Sequence, residues 1–262
     1  MQLTVLGCAG GIPTPSNPNT ALLLRAADTA VLIDFGHGAM GALGRHLDPE
    51  DLDAVVVSHL HADHTADLPA LLVQRRYNPV GKDERQRLPL YAPDGAVERI
   101  GTAYAPTAEA RAKEDASDVF DHRPLRPGQT FEIGPLAFEV HEVEHTVEAF
   151  GFRVSDGAST FAFSGDSGPC AGVDALAAAA DLLLIEATWE TRPGLPLHNH
   201  MTGTQAGEAA AGAGARRTLL THNPTWRDAD EVFGEAAAAY SGPLAWAVAG
   251  ETYEVGAPPG ER

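Results

Sequence analysis

Apolar positions recur with two different periods along this chain. Short β-type runs come first, at Leu3–Leu6, Ala21–Arg25, Ala30–Asp34 and Ala54–Ser58, separated by glycine-rich turns and by a helical stretch near Gly38–His46. From Asp63 to Asn78 the period becomes helical, with Leu68, Leu71, Leu72 and Arg75 on 3/4 spacing and Asn78-Pro79 as the stop. Leu88–Ala92 reads as a strand, Asp94–Tyr104 as a helix, and Arg111–Arg126 as a charged connection without assigned structure. In the second half, strands are expected at Phe131–Ile133, Leu136–His141, Phe150–Val154, Thr160–Ser164, Leu182–Glu186, Thr218–Thr221 and Leu244–Val248. Helices are expected at Gly203–Ala213 and Asp228–Tyr240 and in the alanine-rich stretch Ala175–Ala180. Two strand-rich halves with helices between and after them predict an α/β fold, a four-layered αββα sandwich.

A length of 262 residues suits one large layered domain, and 44% hydrophobic residues can fill its core. The Pro/Gly stretch Arg123–Gly128 is too short to divide the chain. Residues 1–255 are therefore expected to form a single domain, and 256–262 a mobile tail. Charge narrows the partners. Lys+Arg 18 against Asp+Glu 36 leaves a net charge of −18, which opposes docking onto folded nucleic acid or an anionic membrane. A small anion is still acceptable where local cations reverse the field inside one cleft. No apolar run approaches the roughly 18 residues a transmembrane helix needs, and the N-terminal residues read as a strand rather than a signal peptide. With only Cys8 and Cys170, no disulfide framework is expected, and the expected location is the cytoplasm. Nothing in the sequence sets the oligomeric state, and a homodimer stays open.

The chemistry concentrates in Ser58-His59-Leu60-His61-Ala62-Asp63-His64. This stretch follows a β-type run, so it lies where a strand ends and a loop turns into a helix. In an extended segment His59 and His61 project to one side, while Asp63 and His64 on the following turn can serve a neighbouring position. That pattern offers two ligands to one cation and two to another. All are nitrogen or oxygen donors, which suits two divalent ions, zinc first, with manganese or iron as substitutes. The glycines of Gly7-Cys8-Ala9-Gly10-Gly11 permit a tight turn but match no nucleotide fingerprint. Cys8 reads as a small buried residue rather than a nucleophile.

The run His-x-His-x-Asp-His resembles the defining motif of the metallo-β-lactamase fold superfamily, and the remaining motifs of that family follow in order. The resemblance implies that His59, His61 and His145 hold one metal, that Asp63, His64 and His222 hold the other, and that Asp166 bridges them. Asp63 would also orient the nucleophile. Asp34 matches a family aspartate that orients the metal loop. Within the superfamily the chain is similar to the ribonuclease Z-like branch, through Glu186-Ala187-Thr188 followed by His200-Met201-Thr202. The branch places that histidine, supported by the glutamate, beside the scissile phosphate, which makes Glu186 and His200 catalytic candidates with Asp63. His198 reads as a loop or outer residue. Ribonuclease Z itself carries a long basic arm between the third histidine and the bridging aspartate, whereas His145 and Asp166 are only 21 positions apart. Together with Val5–Cys8 and Arg75-Arg76-Tyr77, these motifs look like actinobacterial cyclic-nucleotide phosphodiesterases of an atypical class II type. The resulting expectation is a dinuclear metal-dependent phosphodiesterase acting on a small phosphodiester such as cyclic AMP. The alternatives are another hydrolase of this fold, acting on RNA ends, a different cyclic phosphate, a lactone or a thioester, or a repurposed, non-catalytic metal-binding protein.

Overall fold

The computed structural model describes residues 1–79, 86–196 and 198–256. Its first half contains β1 (Gln2–Gly7), β2 (Ala21–Ala26), β3 (Thr29–Ile33), α1 (Ala39–Leu43), β4 (Ala54–Val56), α2 (Ala62–Thr65), α3 (Leu68–Tyr77), β5 (Leu88–Ala92), α4 (Ala96–Tyr104), α5 (Ala108–Arg111) and β6 (Phe120–Pro124). The second contains β7 (Thr130–Ile133), β8 (Leu136–Glu142), β9 (Phe150–Ser155), β10 (Thr160–Phe163), α6 (Ala171–Ala177), β11 (Leu182–Glu186), α7 (Gly203–Ala213), β12 (Thr218–Thr221), α8 (Ala229–Ala239), β13 (Leu244–Trp246) and β14 (Thr252–Glu254). Among the described residues the strands form two seven-stranded mixed sheets, ordered β14-β1-β2-β3-β4-β5-β6 and β13-β12-β11-β10-β9-β8-β7.

The layering follows from strands that are apolar on both faces. In β2, Leu22 and Leu24 join Val31, Ile33, Phe138, Phe152, Phe161 and Leu184 in the core between the sheets. Leu23, between them, turns outward to meet Leu32, Val55, Leu68, Leu71 and Ile100 under α3 and α4. On the far side Leu183, Ile185 and Leu220 pack beneath α6, α7 and α8 against Leu176, Ala206, Ala210 and Val232. The expected αββα sandwich is therefore the observed one. No helix among the described residues is long and apolar enough to cross a membrane.

Several boundaries differ from the sequence expectation, each for a local reason. The helix expected over Asp63–Asn78 is split into α2 and α3. The Asp67 amide donates to Phe35 O (3.0 Å) and Pro69 has no amide to give, so the helical ladder cannot run through. The expected strand Ala54–Ser58 ends at Val56, and the expected helix Ala175–Ala180 is the end of a helix that stops at Ala177. There Arg153 Nη1 donates to the Leu176 and Ala178 carbonyls, and Ala179 adopts a φ of 50°. Leu244–Val248 shortens to β13. The unassigned stretch Arg111–Arg126 contains β6, and the sequence reading also missed β14; both are edge strands with partly exposed faces, so neither carries a strong apolar signal. The expected tail over 256–262 lies, apart from Gly256, outside the described residues.

Candidate metal centre

Strand ends from both sheets meet at one rim. After β4 the backbone amide of Ser58 donates to Asp34 Oδ1 and its hydroxyl to Asp34 Oδ2, both at 2.7 Å. Asp34 is fully buried and holds a φ of 57°, so its carboxylate is aimed under the loop rather than along β3. It also accepts from His64 Nδ1 at 2.7 Å, which leaves His64 Nε2 facing inward. The loop thus reaches α2 with His59, His61, Asp63 and His64 already oriented.

His59 Nε2 and His145 Nε2 lie 3.0 and 3.1 Å from His61 Nδ1. His145 follows β8, and its Nδ1–H donates to Asn199 O (2.7 Å), so the Nε2 it presents is a bare lone pair. Burial, followed for His59 by the neighbouring imidazoles, pushes the pKa of all three histidines down. Three neutral imidazole nitrogens converging on one point cannot satisfy one another with the protons available. A shared cation satisfies all three.

Asp63, His64, Asp166 and His222 form the adjoining set. Asp166, after β10, places Oδ1 at 3.2 Å from His64 Nε2 and Oδ2 at 3.1 Å from His222 Nε2. Its Oδ2 is also 3.8 Å from His59 Nε2, so this carboxylate stands between the two sets. Asp63 Oδ2 lies 3.2 Å from His222 Nε2 and accepts from the Gly11 amide at 2.9 Å. His64 Nε2 is buried and makes no aligned hydrogen bond. Burial alone would lower the His64 pKa, but Asp166 and Asp34 outweigh it and hold the pKa well above the ordinary histidine range. Burial opposes ionisation of Asp63 and Asp166 too, yet the facing imidazoles keep both carboxyls far below theirs. A place that attracts a proton this strongly between two carboxylates is equally attractive to a metal ion. The donors of both sets therefore fit divalent cations.

Against this cluster stands a second constellation. Glu186, at the end of β11 and fully buried, accepts from the Ser167 amide (2.7 Å), Thr188 Oγ1 (2.8 Å), His200 Nδ1 (2.8 Å) and the Met201 amide (3.1 Å). Burial depresses the His200 pKa, but the Glu186 carboxylate, aided by Asp166 and Asp63, overcomes it and lifts the pKa to about 9. The His200 ring stacks on His222 at 5.2 Å and meets His145 edge-on at 5.1 Å. An imidazolium is thereby held at the seam of the two sets.

The seven candidate ligands come together here with Asp34, Glu186 and His200. Some neighbours were not foreseen. Thr188 Oγ1 accepts from His222 Nδ1 (3.0 Å) while donating to Glu186, linking the two constellations. The sequence signal was its place in Glu186-Ala187-Thr188. Trp189, which closes the run Glu186-Ala187-Thr188-Trp189, and Trp226, which no motif marked, line the same cavity. Gly10 packs so closely on His222 that a Cβ there would meet its carbonyl at 2.5 Å, which accounts for the glycine turn. Cys8 is buried, donates its thiol to Ala247 O, and has its pKa pushed up to about 11 by burial. His198 is exposed. Arg75 and Arg76 serve α3 packing, reaching the Pro49 carbonyl and the Glu114 and Asp118 carboxylates.

A family model described as a beta-lactamase superfamily domain matches residues 29–223. A Mycobacterium leprae protein described as uncharacterized is 42% identical over 263 residues, covering 98% of this chain and 90% of that one. The probable metallo-hydrolase YhfI of Bacillus subtilis is 30% identical over 255 residues, covering 97% of this chain and all of its own. Its crystal structure, described as a metallo-beta-lactamase fold protein, superposes with a TM-score of 0.82 over 96% of this chain and 98% of that one, at 28% identity. Ribonuclease Z of Mycolicibacterium paratuberculosis is 29% identical over 244 residues, covering 85% of each chain.

Proposed function

The chain belongs to the beta-lactamase superfamily and is a metallo-hydrolase of the metallo-β-lactamase fold, and from that premise we propose that it is a dinuclear metal-dependent phosphodiesterase acting on a small phosphodiester, a 3′,5′-cyclic nucleotide such as cyclic AMP. His59, His61 and His145 would hold one ion, Asp63, His64 and His222 the other, with Asp166 between them. Two such ions, zinc or alternatively manganese or iron, would supply positive charge that acidifies water and neutralises phosphate oxygens.

The observation that carries the reading is the Glu186–His200 pair. A cyclic nucleotide leaves through a sugar oxygen, whose alkoxide is far too basic to depart without a proton. His200, kept protonated by the buried carboxylate 2.8 Å away, stands beside the ligand cluster ready to give one. A thioester expels a thiolate, which departs without a proton and has less need of such a buried acid pair. Asp63, fixed from behind by the Gly11 amide, orients the attacking water. The ligand loops favour a small substrate over a folded RNA. Between His145 and Asp166 the chain is occupied by β9, β10 and their tight turn, without an extended basic arm, and the net charge of −18 repels a polyanion.

A metal-reconstituted panel of cyclic AMP, bis(p-nitrophenyl) phosphate, a transfer-RNA precursor and a lactone tests the proposal. Cleavage of cyclic AMP and of the aryl diester is expected. Lactone opening with both diesters untouched would overturn it, and preferential cleavage of the precursor would move the substrate to RNA.

A further inference from the structure

The cavity over the ligand cluster is small and its mouth is aromatic. It encloses about 200 Å³, lined by His61, Asp63, His200 and His222 at its base and by Gly11, Trp189 and Trp226 above. Ligand pockets usually span roughly 300–1,000 Å³, so this one is too small to enclose a whole nucleotide. Part of a nucleotide bound over the ligand cluster must extend past the mouth.

Trp226 stands there with its side chain mostly in solvent, at 61% exposure. Large aromatic side chains dominate burial elsewhere in the molecule, and an indole left out this far sacrifices apolar burial. It is nevertheless held in place. The Arg227 amide donates to Pro224 O (3.0 Å), closing a turn with Trp226 at its tip. Arg227 is fixed in turn by Glu190 (3.2 Å) and by lying 4.2 Å over the Trp189 ring, and the Asp228 amide donates to Glu190 Oε1 (3.0 Å). Among the described residues no other aromatic ring or guanidinium lies on the Trp226 indole. Gly11 makes room for it: a Cβ at this position would stand 3.2 Å from Trp226 Cη2, and the residue has a φ of 69°. The same Gly11 donates its amide to Asp63, so the indole rides on the loop that supports the metal-facing carboxylate.

We propose that Trp226 is the platform on which the aromatic ring carried by the phosphodiester stacks, a purine base when the substrate is a cyclic nucleotide, making it a specificity-determining residue. The inference rests on the phosphodiesterase reading above. An indole pre-positioned on an anchored turn loses little freedom on binding, and base–aromatic stacking tolerates any base because every base offers a π face.

The test compares Trp226→Ala and Trp226→Phe with the unaltered, metal-loaded enzyme on cyclic AMP and on a base-free six-membered cyclic phosphodiester of propanediol. Trp226→Ala should lower the kcat/KM ratio of cyclic AMP over the base-free diester on the order of ten-fold or more, through KM rather than kcat. Trp226→Phe should recover most of the ratio. AMP, which is not turned over, should quench the indole fluorescence of the unaltered protein and bind Trp226→Ala correspondingly more weakly. An unchanged ratio, or equal losses on both diesters, overturns the platform while leaving the phosphodiesterase reading intact. If the unaltered enzyme cleaves diesters but not cyclic AMP, the cyclic-nucleotide reading fails. The platform is then judged by the same ratio for bis(p-nitrophenyl) phosphate over the base-free diester. Cleavage of no diester at all sinks both.

Discussion

The two ligand sets lie side by side but are built on opposite principles. One is three imidazoles held neutral by burial, two of them only half-buried. The other surrounds two buried or partly buried carboxylates with two imidazoles, and has the Asp34 carboxylate directly behind His64. A cation among neutral nitrogens keeps nearly its full charge toward a substrate, whereas one among carboxylates is largely compensated and more firmly held. The same rim of the fold thus offers one position suited to polarising a phosphate and one suited to retention. Asp166 is the group that belongs to both.

Replacing Asp166 should have the largest effect, because its one carboxylate faces nitrogens of both sets. Asp166→Ala is expected to abolish turnover and to reduce bound metal from about two ions per chain to below one, while circular dichroism stays native. His145→Ala should abolish turnover as well but keep about one ion, because the carboxylate set is intact. Elemental analysis after dialysis reads the difference. Wild-type rates in Asp166→Ala, or loss of both ions in His145→Ala, would break the contrast.

His200 stands where the two sets meet, and its replacement should cost less. His200→Ala is expected to slow an alkyl phosphodiester by on the order of 10²–10⁴, the range of general acid catalysis, and a p-nitrophenyl diester much less, because that leaving group departs without a proton. Glu186→Gln should act in the same direction more weakly, by lowering the imidazole pKa. Equal losses on both substrates would assign His200 to phosphate binding or to structure.

How far the site could be read from sequence divides along similar lines. His59, His61, Asp63 and His64 are legible because they fall within six residues at the end of a strand, and the layered fold follows from strands apolar on both faces. His145, Asp166 and His222 are legible only as members of an ordered set, since each alone is one polar residue at the end of a strand. Asp34 carries a signal only as a match to the family's pattern, and its φ of 57° and its bonds to Ser58 and His64 are consequences of tertiary packing. Trp226 carries no signal at all. Its role depends on an anchored turn meeting a glycine more than two hundred residues away, and no local period records that. The edge strands β6 and β14 escaped for the reverse reason, because what defines them is a neighbour's hydrogen bonds rather than their own apolar pattern.

The smallest effect is the most direct reading of the contrast, and it needs only the metal-free protein. Burial lowers the pKa of His59, His61 and His145 beneath the ordinary value near 6.5, so the folded state binds fewer protons there than the unfolded chain. Their contribution to stability is complete above about pH 6.5 and is lost as the pH falls below it. His64 has the opposite sign. Its pKa is raised by Asp166 and Asp34, so its contribution is complete below about pH 6.5 and fades as the pH rises through the folded value. Nitrogen-detected NMR of the chelator-treated protein at pH 7.5 should therefore find His64 doubly protonated and the other three neutral. Adding metal should then remove one ring proton from His64 while the three imidazoles stay neutral, which the same NMR measurement can follow. A neutral His64 in the metal-free protein would mean that Asp34 and Asp166 do not concentrate charge at that position, and the distinction between a retaining and a polarising site would lose its basis.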